Sequence, residues 1–333
     1  MDDALALRHE GLRVRLAPTR AQSAYLFGCA DAARVAYHFA LEQITANQQL
    51  WTTERDAGIE PAQRTKPLSD RQLQDAWHAK KADVAPWHGT YPSKICLYAL
   101  RRARAAHHSS MAGRSGFPRF KAKHRDAPAF TLCETITLMP GFLGLPRMDR
   151  LGLGPVRTAV PDDHQARLRR LVRRGRARSV SVTLRRDACG TWWAALTIER
   201  TVLQEQTVTP RPSPPAGVLG VDVGVKTLAV AARSAGTVVL EEPGSRVLRD
   251  AEQRLRRARR ALSRKDRCHG KAIGAAHARR SPSRQRERAR RRVAELKRRV
   301  RDEHQTRLHQ LSRRLVGLEA VLVLDDLNVA GMG

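Results

Sequence analysis

The chain has 333 residues, 41% of them hydrophobic, and carries 62 Lys or Arg against 32 Asp or Glu, a formal net charge of +30. This length allows two or three domains with hydrophobic cores, and the charge predicts a polyanionic partner, by default nucleic acid. Because we find no long apolar run, no signal-peptide pattern and no Cys-x-x-Cys pair, we expect no membrane partner and no zinc, and a cytoplasmic, nucleoid-associated protein of bacterial type.

The first elements predicted are a strand and a long helix. Residues 12–16 alternate apolar and basic side chains, which is typical of a strand with arginines on one face. Thr19 is a candidate N-cap for a helix that ends near Ile44 and is followed by a loop over 46–66. The residues that this helix should bury are Ala24, Leu26, Phe27, Ala30 and Val35.

Two further helices are predicted before residue 110. Ser69 is placed to cap one of them, and the other runs from Pro92 to about His108. Helical spacing puts the apolar and the basic residues of this third helix on opposite sides. The apolar side holds Cys96, Leu100, Ala103 and Ala106, and the basic side holds Lys94, Arg101, Arg104 and His108.

Segment 116–125 combines two aromatic residues with four Lys or Arg. Aromatic rings suit stacking on bases, and interleaved cations suit pairing with phosphates. The alternative is a basic loop whose phenyl rings are buried in the core. We favour nucleic-acid contact, and the binding residues predicted are Phe117, Arg119, Phe120, Lys121 and Lys123.

From residue 130 to 198 the sequence predicts a small antiparallel barrel or sheet. Its β-type runs are 130–132, 136–138, 179–184 and 192–198. The turn-rich segment 185–190 joins the last two runs and indicates a hairpin. Residues 200–216 contain four prolines and are typical of a linker.

An almost unbroken apolar run from Val218 to Val230 predicts a strand that is buried on both faces. Asp222 lies in the middle of this run, and a buried charge needs a partner, a hydrogen-bond network or a metal. Gly220 and Gly224 flank it and would let a ligand or a phosphate backbone approach closely.

A second apolar run, 320–324, ends in Asp325 and Asp326. We expect this strand to lie beside the Asp222 strand and both to face a nucleic acid. Residues 236–240 predict an antiparallel partner strand.

Residues 249–314 contain 25 Lys or Arg against 7 Asp or Glu, more than half of the net charge. Two apolar stripes at helical spacing predict a helical hairpin joined by 270–283, with a cationic exterior. The stripe residues are Leu255, Ala258 and Leu262, then Val293, Leu296, Val300, Leu308, Leu311 and Leu315, with His304 in the missing turn. Because few acids balance this charge, self-repulsion favours a bound polyanion.

Two motifs resemble those of a known family. Gly220–Lys226 (GVDVGVK) resembles the first RuvC motif of the TnpB proteins, and 323–332 resembles the second. TnpB proteins are transposon-encoded RNA-guided DNA nucleases, also described as OrfB-type transposases and related to type V CRISPR effectors. Segments 254–265 and 308–312 resemble the family's helical segment, 116–121 its central basic motif, and 181–184 with Trp192 and Trp193 its oligonucleotide-binding strands.

This resemblance implies an RNase-H-like (RuvC) domain that cleaves DNA with Mg²⁺, with guide RNA and target DNA as partners. The first acidic ligand corresponds to Asp222, and the second, normally Glu, corresponds to Asp325. Carboxylates on adjacent parallel strands can hold two metals about 3.5–4 Å apart. Lys226 contacts a phosphate or is a surface lysine. Further nucleic-acid contacts are expected from Arg254, Arg257, Arg264 and Lys265.

The sequence also departs from the family pattern. The family's third Asp follows a Cys-x-x-Cys zinc element beyond the second motif, and neither occurs before Gly333. We therefore expect RNA-guided DNA binding with impaired cleavage and no zinc. The alternatives are an active endonuclease with a substitute acid, Glu241, Glu242 or Asp326, and a simple RNA-binding protein.

The expected fold class is multidomain α+β: a helical lobe with a small antiparallel β-barrel or sheet, then an incomplete RNase-H-like α/β domain. Residues 1–20 are assigned to a first barrel strand, 21–115 to a helical recognition lobe, 116–205 to the basic motif and barrel, 206–216 to a linker, and 217–333 to the RuvC-like domain with its basic hairpin.

Overall fold

The structure is a computed structural model with two compact units, Met1–Gln204 and Glu205–Gly333. It describes residues 5–123, 125–133, 136–139, 141–159, 177–203, 217–224, 227–233, 235–271, 283–318 and 321–324. Each unit combines helices with a β-sheet, so the predicted mixture of helix and sheet is confirmed. The predicted linker, 206–216, lies outside the described residues.

Three helices form the helical part of the first unit: α1 (Arg20–Asp56), α2 (Asp70–Val84) and α3 (Ser93–Met111). Thr19 and Ser69 are the N-caps of α1 and α2, as predicted. Each hydroxyl accepts from the N–H of the glutamine three residues later, and that glutamine accepts from the N–H of the cap. This reciprocal capping satisfies two backbone donors at each helix start.

Two predictions for α1 are wrong. The helix continues past Ile44 to Asp56, through much of the predicted loop, since no glycine or proline occurs between Ile44 and Gly58. Gly58 has φ 75°, a left-handed conformation that favours glycine and terminates helices. Ala24 is exposed rather than buried, whereas Leu26 and Ala30 are buried as predicted.

The first unit also contains a seven-stranded antiparallel sheet with the order β2-β6-β7-β1-β5-β4-β3. Its strands are β1 (Leu5–Ala17), β2 (Ala129–Cys133), β3 (Thr137–Met139), β4 (Phe142–Gly144), β5 (Val156–Ala159), β6 (Ala177–Arg186) and β7 (Trp192–Leu203). The predicted hairpin is β6–β7. Strands β4 and β5, which are three and four residues long, were not predicted.

One face of this sheet packs against the helices. Val14 and Leu16 on β1 and Trp192 on β7 belong to the same buried core as Leu26 of α1. The Trp192 indole Nε1 donates to Ser23 Oγ over 3.3 Å, so this buried tryptophan has a polar partner. The alternate residues of these strands point to the opposite face.

The second unit has a four-stranded sheet with the order β10-β9-β8-β11. Its strands are β8 (Val218–Asp222), β9 (Thr227–Arg233), β10 (Val238–Pro243) and β11 (Val321–Leu324). Strands β8 and β11 are parallel neighbours, which confirms that the two apolar runs lie side by side. Strand β10 pairs antiparallel with β9 and corresponds to the partner strand predicted over 236–240.

The predicted helical hairpin is confirmed as α4 (Arg246–Lys271) and α5 (Arg284–Val316). Leu255 of α4 packs with Val293 and Leu296 in the first half of α5. Leu311 and Leu315, near the end of α5, pack instead on the sheet. No helix in the described ranges is both long and apolar enough to serve as a membrane span.

The single continuous stripe predicted for α5 is wrong at two positions. His304 is exposed, and 41% of Leu308 is exposed. Both lie between the part of α5 that packs on α4 and the part that packs on the sheet. The helix therefore has two separate buried stripes for two different partners.

The prediction of one strand over 218–230 that is buried on both faces is also wrong. The run forms two strands, β8 and β9, and burial alternates along β8. Only Leu219 and Val221 are buried, on the face that α5 covers, whereas Gly220 and Asp222 are exposed. Asp222 is therefore not a buried charge.

Candidate nucleic-acid interface

Asp222 is the last residue of β8, and its position is set by the pairing with β11. The last pair of the parallel register is Val221 with Leu324, the residues immediately before Asp222 and Asp325. Asp325, Asp326 and Lys226 lie outside the described residues, so the contacts predicted for them stay predictions.

The two glycines near Asp222 differ in what surrounds them. A Cβ added at Gly220 would meet no atom within 4 Å, so this position is open to an approaching group, as predicted. A Cβ at Gly224 would lie 3.0 Å from the carbonyl oxygen of Thr227. The absence of a side chain at Gly224 therefore allows its backbone to lie close to the Thr227 carbonyl at the start of β9.

An exposed carboxylate at a strand end suits a hard cation such as Mg²⁺, which prefers oxygen ligands. Asp222 supplies such a group, and Asp325 follows directly after β11 in the sequence. Within the ranges that the structure describes, no group of three or more His, Cys, Asp or Glu side chains is placed to hold a metal ion. The described residues therefore contribute one ligand of the predicted set.

Glu242 is not a suitable substitute ligand. Its carboxylate pairs with Arg307, at 2.6 Å, and with Arg314, both on α5, and its side chain is 16% exposed. It lies on β10, at the sheet edge opposite β11, and on the α5 face. Glu242 therefore attaches the hairpin to the sheet.

Glu241 lies on the same sheet face as Asp222. Val230 of β9 pairs with both Glu241 and Asp222, so the two acids are two strands apart. Strand spacing puts their Cα atoms roughly 10 Å apart, with Val230 between them. At this separation the carboxylates of Glu241 and Asp222 do not bind the same metal ion directly.

The basic loop, residues 116–126, is organised by Asp126. The Ala122 N–H donates to Asp126 Oδ2 over 2.7 Å, and Arg119 donates to both carboxylate oxygens, with its shorter contact at 2.7 Å. The backbone N–H of Ala122 and the Arg119 guanidinium lower the pKa of Asp126 to about 2. Arg125 contacts Asp126 and also donates to the Phe120 carbonyl over 2.8 Å. The charged network therefore fixes the positions of these described loop residues relative to one another.

Both phenyl rings of the loop reach the surface. Phe117 is 48% exposed and Phe120 is 46% exposed. The alternative in which both rings are buried in the core is therefore wrong. Each ring packs edge-to-face with a helix histidine, Phe117 with His107 of α3 and Phe120 with His38 of α1. These contacts orient the rings and leave about half of each accessible.

The cations of the loop have different surroundings. Lys121 Nζ lies 3.9 Å from the centroid of the Tyr37 ring, and burial lowers its pKa. Lys123 Nζ pairs with Asp31 of α1 at 2.9 Å. Two acids, Asp31 and Asp126, therefore face four Lys or Arg, and the basic loop keeps a positive excess.

The four cations predicted on the hairpin are exposed along α4. They are Arg254, Arg257, Arg264 and Lys265. Lys265 Nζ also donates to Gln285 Oε1 of α5 over 3.4 Å, and so links the two helices. The structure thus brings the loop residues together in the first unit and the hairpin residues together in the second.

Four residues that build the loop were not predicted from the sequence. They are Asp126, His38, His107 and Tyr37. Asp126 had a local signal, an acid directly after a run of basic residues. The other three had none, because their contacts with the loop link positions far apart in the chain.

Comparison with known proteins agrees with the motifs. Residues 201–333 match the OrfB_IS605 family, described as "Probable transposase". A "Putative RNA-guided DNA endonuclease" of Streptomyces pristinaespiralis is 30% identical over 324 residues, covering 96% of this chain and 67% of that protein. A protein of the same description from Mycobacterium tuberculosis is 29% identical over 335 residues, covering 97% of this chain and 67% of that protein. The chain spans about two thirds of the length of these relatives.

Two solved structures are also similar. The cryo-EM structure of the Cas12f1–sgRNA–target DNA complex aligns with a TM-score of 0.47 and 12% identity, over 93% of this chain and 66% of that chain. A CRISPR–Cas12f ternary complex aligns with a TM-score of 0.34 and 13% identity, over 93% of this chain and 64% of that chain. The identity to the relatives over almost the whole sequence, with the OrfB match, shows that the chain belongs to the TnpB family of OrfB-type transposases and RNA-guided DNA endonucleases.

Proposed function

We propose that the chain binds a guide RNA and recognises DNA through it, and that binding dominates over cleavage. The observation that carries this proposal is the basic loop, in which Phe117 and Phe120 are half exposed on a network that keeps excess positive charge. Exposed rings between cations suit unpaired bases and their phosphates. Recognition of DNA through the bound RNA is part of the proposal because both relatives are described as RNA-guided DNA endonucleases.

The second contact surface is the α4–α5 hairpin. Exposed arginines along α4 and few acids nearby favour phosphate backbones over base-specific contacts. In a guided effector, base pairing reads the sequence while the protein holds the backbones. The hairpin residues Arg254, Arg257, Arg264 and Lys265 have this holding role in our proposal.

We further propose a RuvC-type site in which Asp222 and Asp325 hold Mg²⁺. The parallel register, which pairs the residues just before these two acids, supports this arrangement. Mg²⁺ bound there would activate a water and stabilise the leaving oxygen of a phosphodiester. Asp325 has one methylene fewer than the Glu that the family carries at this place. This shorter side chain favours slow cleavage. Glu242 does not replace it as a ligand, because its carboxylate pairs with Arg307 and Arg314.

The experiment separates binding from cleavage in one preparation. The protein is purified with the RNA that it retains, and target duplexes that match or scramble this RNA are added with Mg²⁺. We expect guide-dependent retention of the matched duplex and little cutting. Asp222→Ala should abolish residual cutting and leave retention unchanged, and Glu241→Ala, an exposed acid on the same sheet, serves as the control for charge.

Two other outcomes would point to the competing functions. Efficient Mg²⁺-dependent cutting that is lost in Asp222→Ala would identify an active endonuclease with a further acid. Equal retention of matched and scrambled duplexes would identify a simple RNA-binding protein, in which the basic loop and the hairpin hold RNA without guided recognition.

A further inference from the structure

Lys121 differs from the other three cations of the basic loop in having no carboxylate partner among the residues that the structure describes. The others each pair with an acid, Arg119 and Arg125 with Asp126 and Lys123 with Asp31. The Nζ of Lys121 lies instead over the face of the Tyr37 ring, 3.9 Å from its centroid. The environment of this amine is therefore unlike that of Lys123, two positions away.

Positive charges lie close to the amine of Lys121. The guanidinium groups of Arg102, on α3, and of Arg119 act on this amine and on the Tyr37 hydroxyl. Burial raises the pKa of Tyr37, so its ring supplies no negative charge near neutral pH. An aromatic face attracts an ammonium, whereas burial and like charges disfavour it. Burial first and Arg102 second lower the pKa of Lys121 from its ordinary 10.5, although Asp126 acts in the opposite direction.

The position of Lys121 is fixed, and its side chain can be reached from solvent. Its backbone N–H donates to His38 Nε2 over 3.0 Å, which attaches this part of the loop to α1. The residue is half-buried, so part of the side chain contacts water. Partial burial beside other cations activates a lysine amine as a nucleophile, because more of the amine is uncharged and has a free lone pair.

We propose that Lys121 is an acylation site that accepts small activated acyl groups such as those of acyl phosphates. The uncharged amine attacks the acyl carbon and an N–C bond forms. The C–O bond to phosphate breaks, phosphate leaves, and the nitrogen loses a proton to water. The product is a neutral amide.

Acylation of Lys121 changes the charge of the basic loop. Because four Lys or Arg of the loop face two acids, the loss of one cation halves the positive excess. The effect of this change on nucleic-acid binding rests on the proposed function, whereas the modification itself does not.

The first experiment treats the full chain with acetyl phosphate at pH 8 and at pH 10 and measures the initial acetylation rates of Lys121 and Lys123 by mass spectrometry. The rise of each rate between the two pH values reports the change in uncharged amine and does not depend on how accessible the side chain is. We expect the rate at Lys121 to rise about threefold less than the rate at Lys123, since more of its amine is already uncharged at pH 8. An equal or larger rise at Lys121 would overturn the proposal.

A second experiment uses Arg102→Gln to test whether the neighbouring charge activates the amine. Arg102 is exposed on α3, so its replacement should not disturb folding. We expect the rise at Lys121 to become about twofold larger and to approach that of Lys123. Arg101→Gln is the matched control, because it removes the same charge from an exposed residue at the preceding position and should leave the rise unchanged. Equal effects of the two variants would overturn the proposed activation.

The consequence for binding is measured by fluorescence anisotropy with a labelled oligo(U) RNA of about 20 nucleotides, long enough to cover a typical single-strand site. Limited acetylation should weaken binding by the wild type about threefold or more. Lys121→Arg keeps the positive charge but has no acylatable amine at this position, so it should keep its affinity after the same treatment. Equal weakening of both proteins would overturn the effect assigned to Lys121. If the untreated protein does not bind oligo(U), the proposed function fails, but the two acetylation measurements contain no nucleic acid and are unaffected.

Discussion

Lys121 and His38 are joined by a hydrogen bond of 3.0 Å, from the backbone N–H of Lys121 to Nε2 of His38. The bond attaches the basic loop to α1, and the same histidine packs against Phe120. Because Nε2 accepts, this nitrogen carries no proton in the folded loop. The position of an exposed aromatic ring thus depends on an unprotonated histidine.

The first prediction concerns pH. Burial, with nearby Arg34 as a smaller cause, lowers the pKa of His38 from its ordinary 6.5. The folded loop therefore binds fewer protons than the unfolded chain, so this contact stabilises fully above pH 6.5 and is lost as the pH falls through the lowered pKa. The protection factor of the Lys121 amide in hydrogen exchange, corrected for intrinsic rates, should fall from pH 7.5 to 5.5. His38→Ala should show low, pH-independent protection, and pH-independent protection in the wild type would contradict the role of His38.

The second prediction concerns Asp126. If net charge alone determined the affinity for nucleic acid, removing an acid from the basic loop would strengthen binding. Asp126→Ala also removes the acceptor for Ala122 and Arg119, so we expect oligo(U) affinity to fall about tenfold, equivalent to about 1.4 kcal/mol. Asp56→Ala removes an exposed acid at the end of α1 and should not weaken binding. Unchanged or tighter binding by Asp126→Ala would show that the loop needs no internal order.

The third prediction concerns the exposed rings of the basic loop. Phe117→Ala and Phe120→Ala should each cost about 1–3 kcal/mol of binding to single strands, the contribution of one stacked base. Because about half of each ring is exposed, global stability should change little. Phe142→Ala is the control, since Phe142 is 41% exposed but lies on β4. Equal affinities in all three variants would exclude stacking by the loop.

The fourth prediction concerns the attachment of the hairpin. Glu242→Ala leaves Arg307 and Arg314 without their shared carboxylate and should destabilise the second unit by about 2 kcal/mol, less than a fully buried pair costs. All 5 tryptophans belong to the first unit, so amide exchange in α5, rather than fluorescence, is the measurement. Glu241→Ala is the matched control, and equal exchange in the two variants would contradict the role of Glu242.

Local signals in the sequence predicted the elements that depend on neighbouring residues. The caps at Thr19 and Ser69 and the β6–β7 hairpin depend on contacts within a few positions, and all were correct. The end of α1 was misplaced because its polar last turns have no apolar stripe. The better sequence signal for the helix end was the glycine at position 58, which adopts a positive φ in the structure.

The candidate site was only partly predictable. The parallel β8–β11 pair followed from two apolar runs that end in acids, but the exposure of Asp222 did not, because hydropathy does not show that only one sheet face is covered. The support of the loop by His38 joins residues that are distant in the chain, so the sequence carried no local signal for it.

Whether the chain recognises DNA through a bound RNA is tested most directly by comparing two duplexes. The RNA retained by the purified protein is sequenced and resynthesised, and the affinity of the RNA–protein complex is measured for duplexes that match or scramble it. We predict at least tenfold tighter binding of the matched duplex, with the difference lost when the RNA is omitted. Equal affinity for both duplexes would contradict guided recognition by this chain.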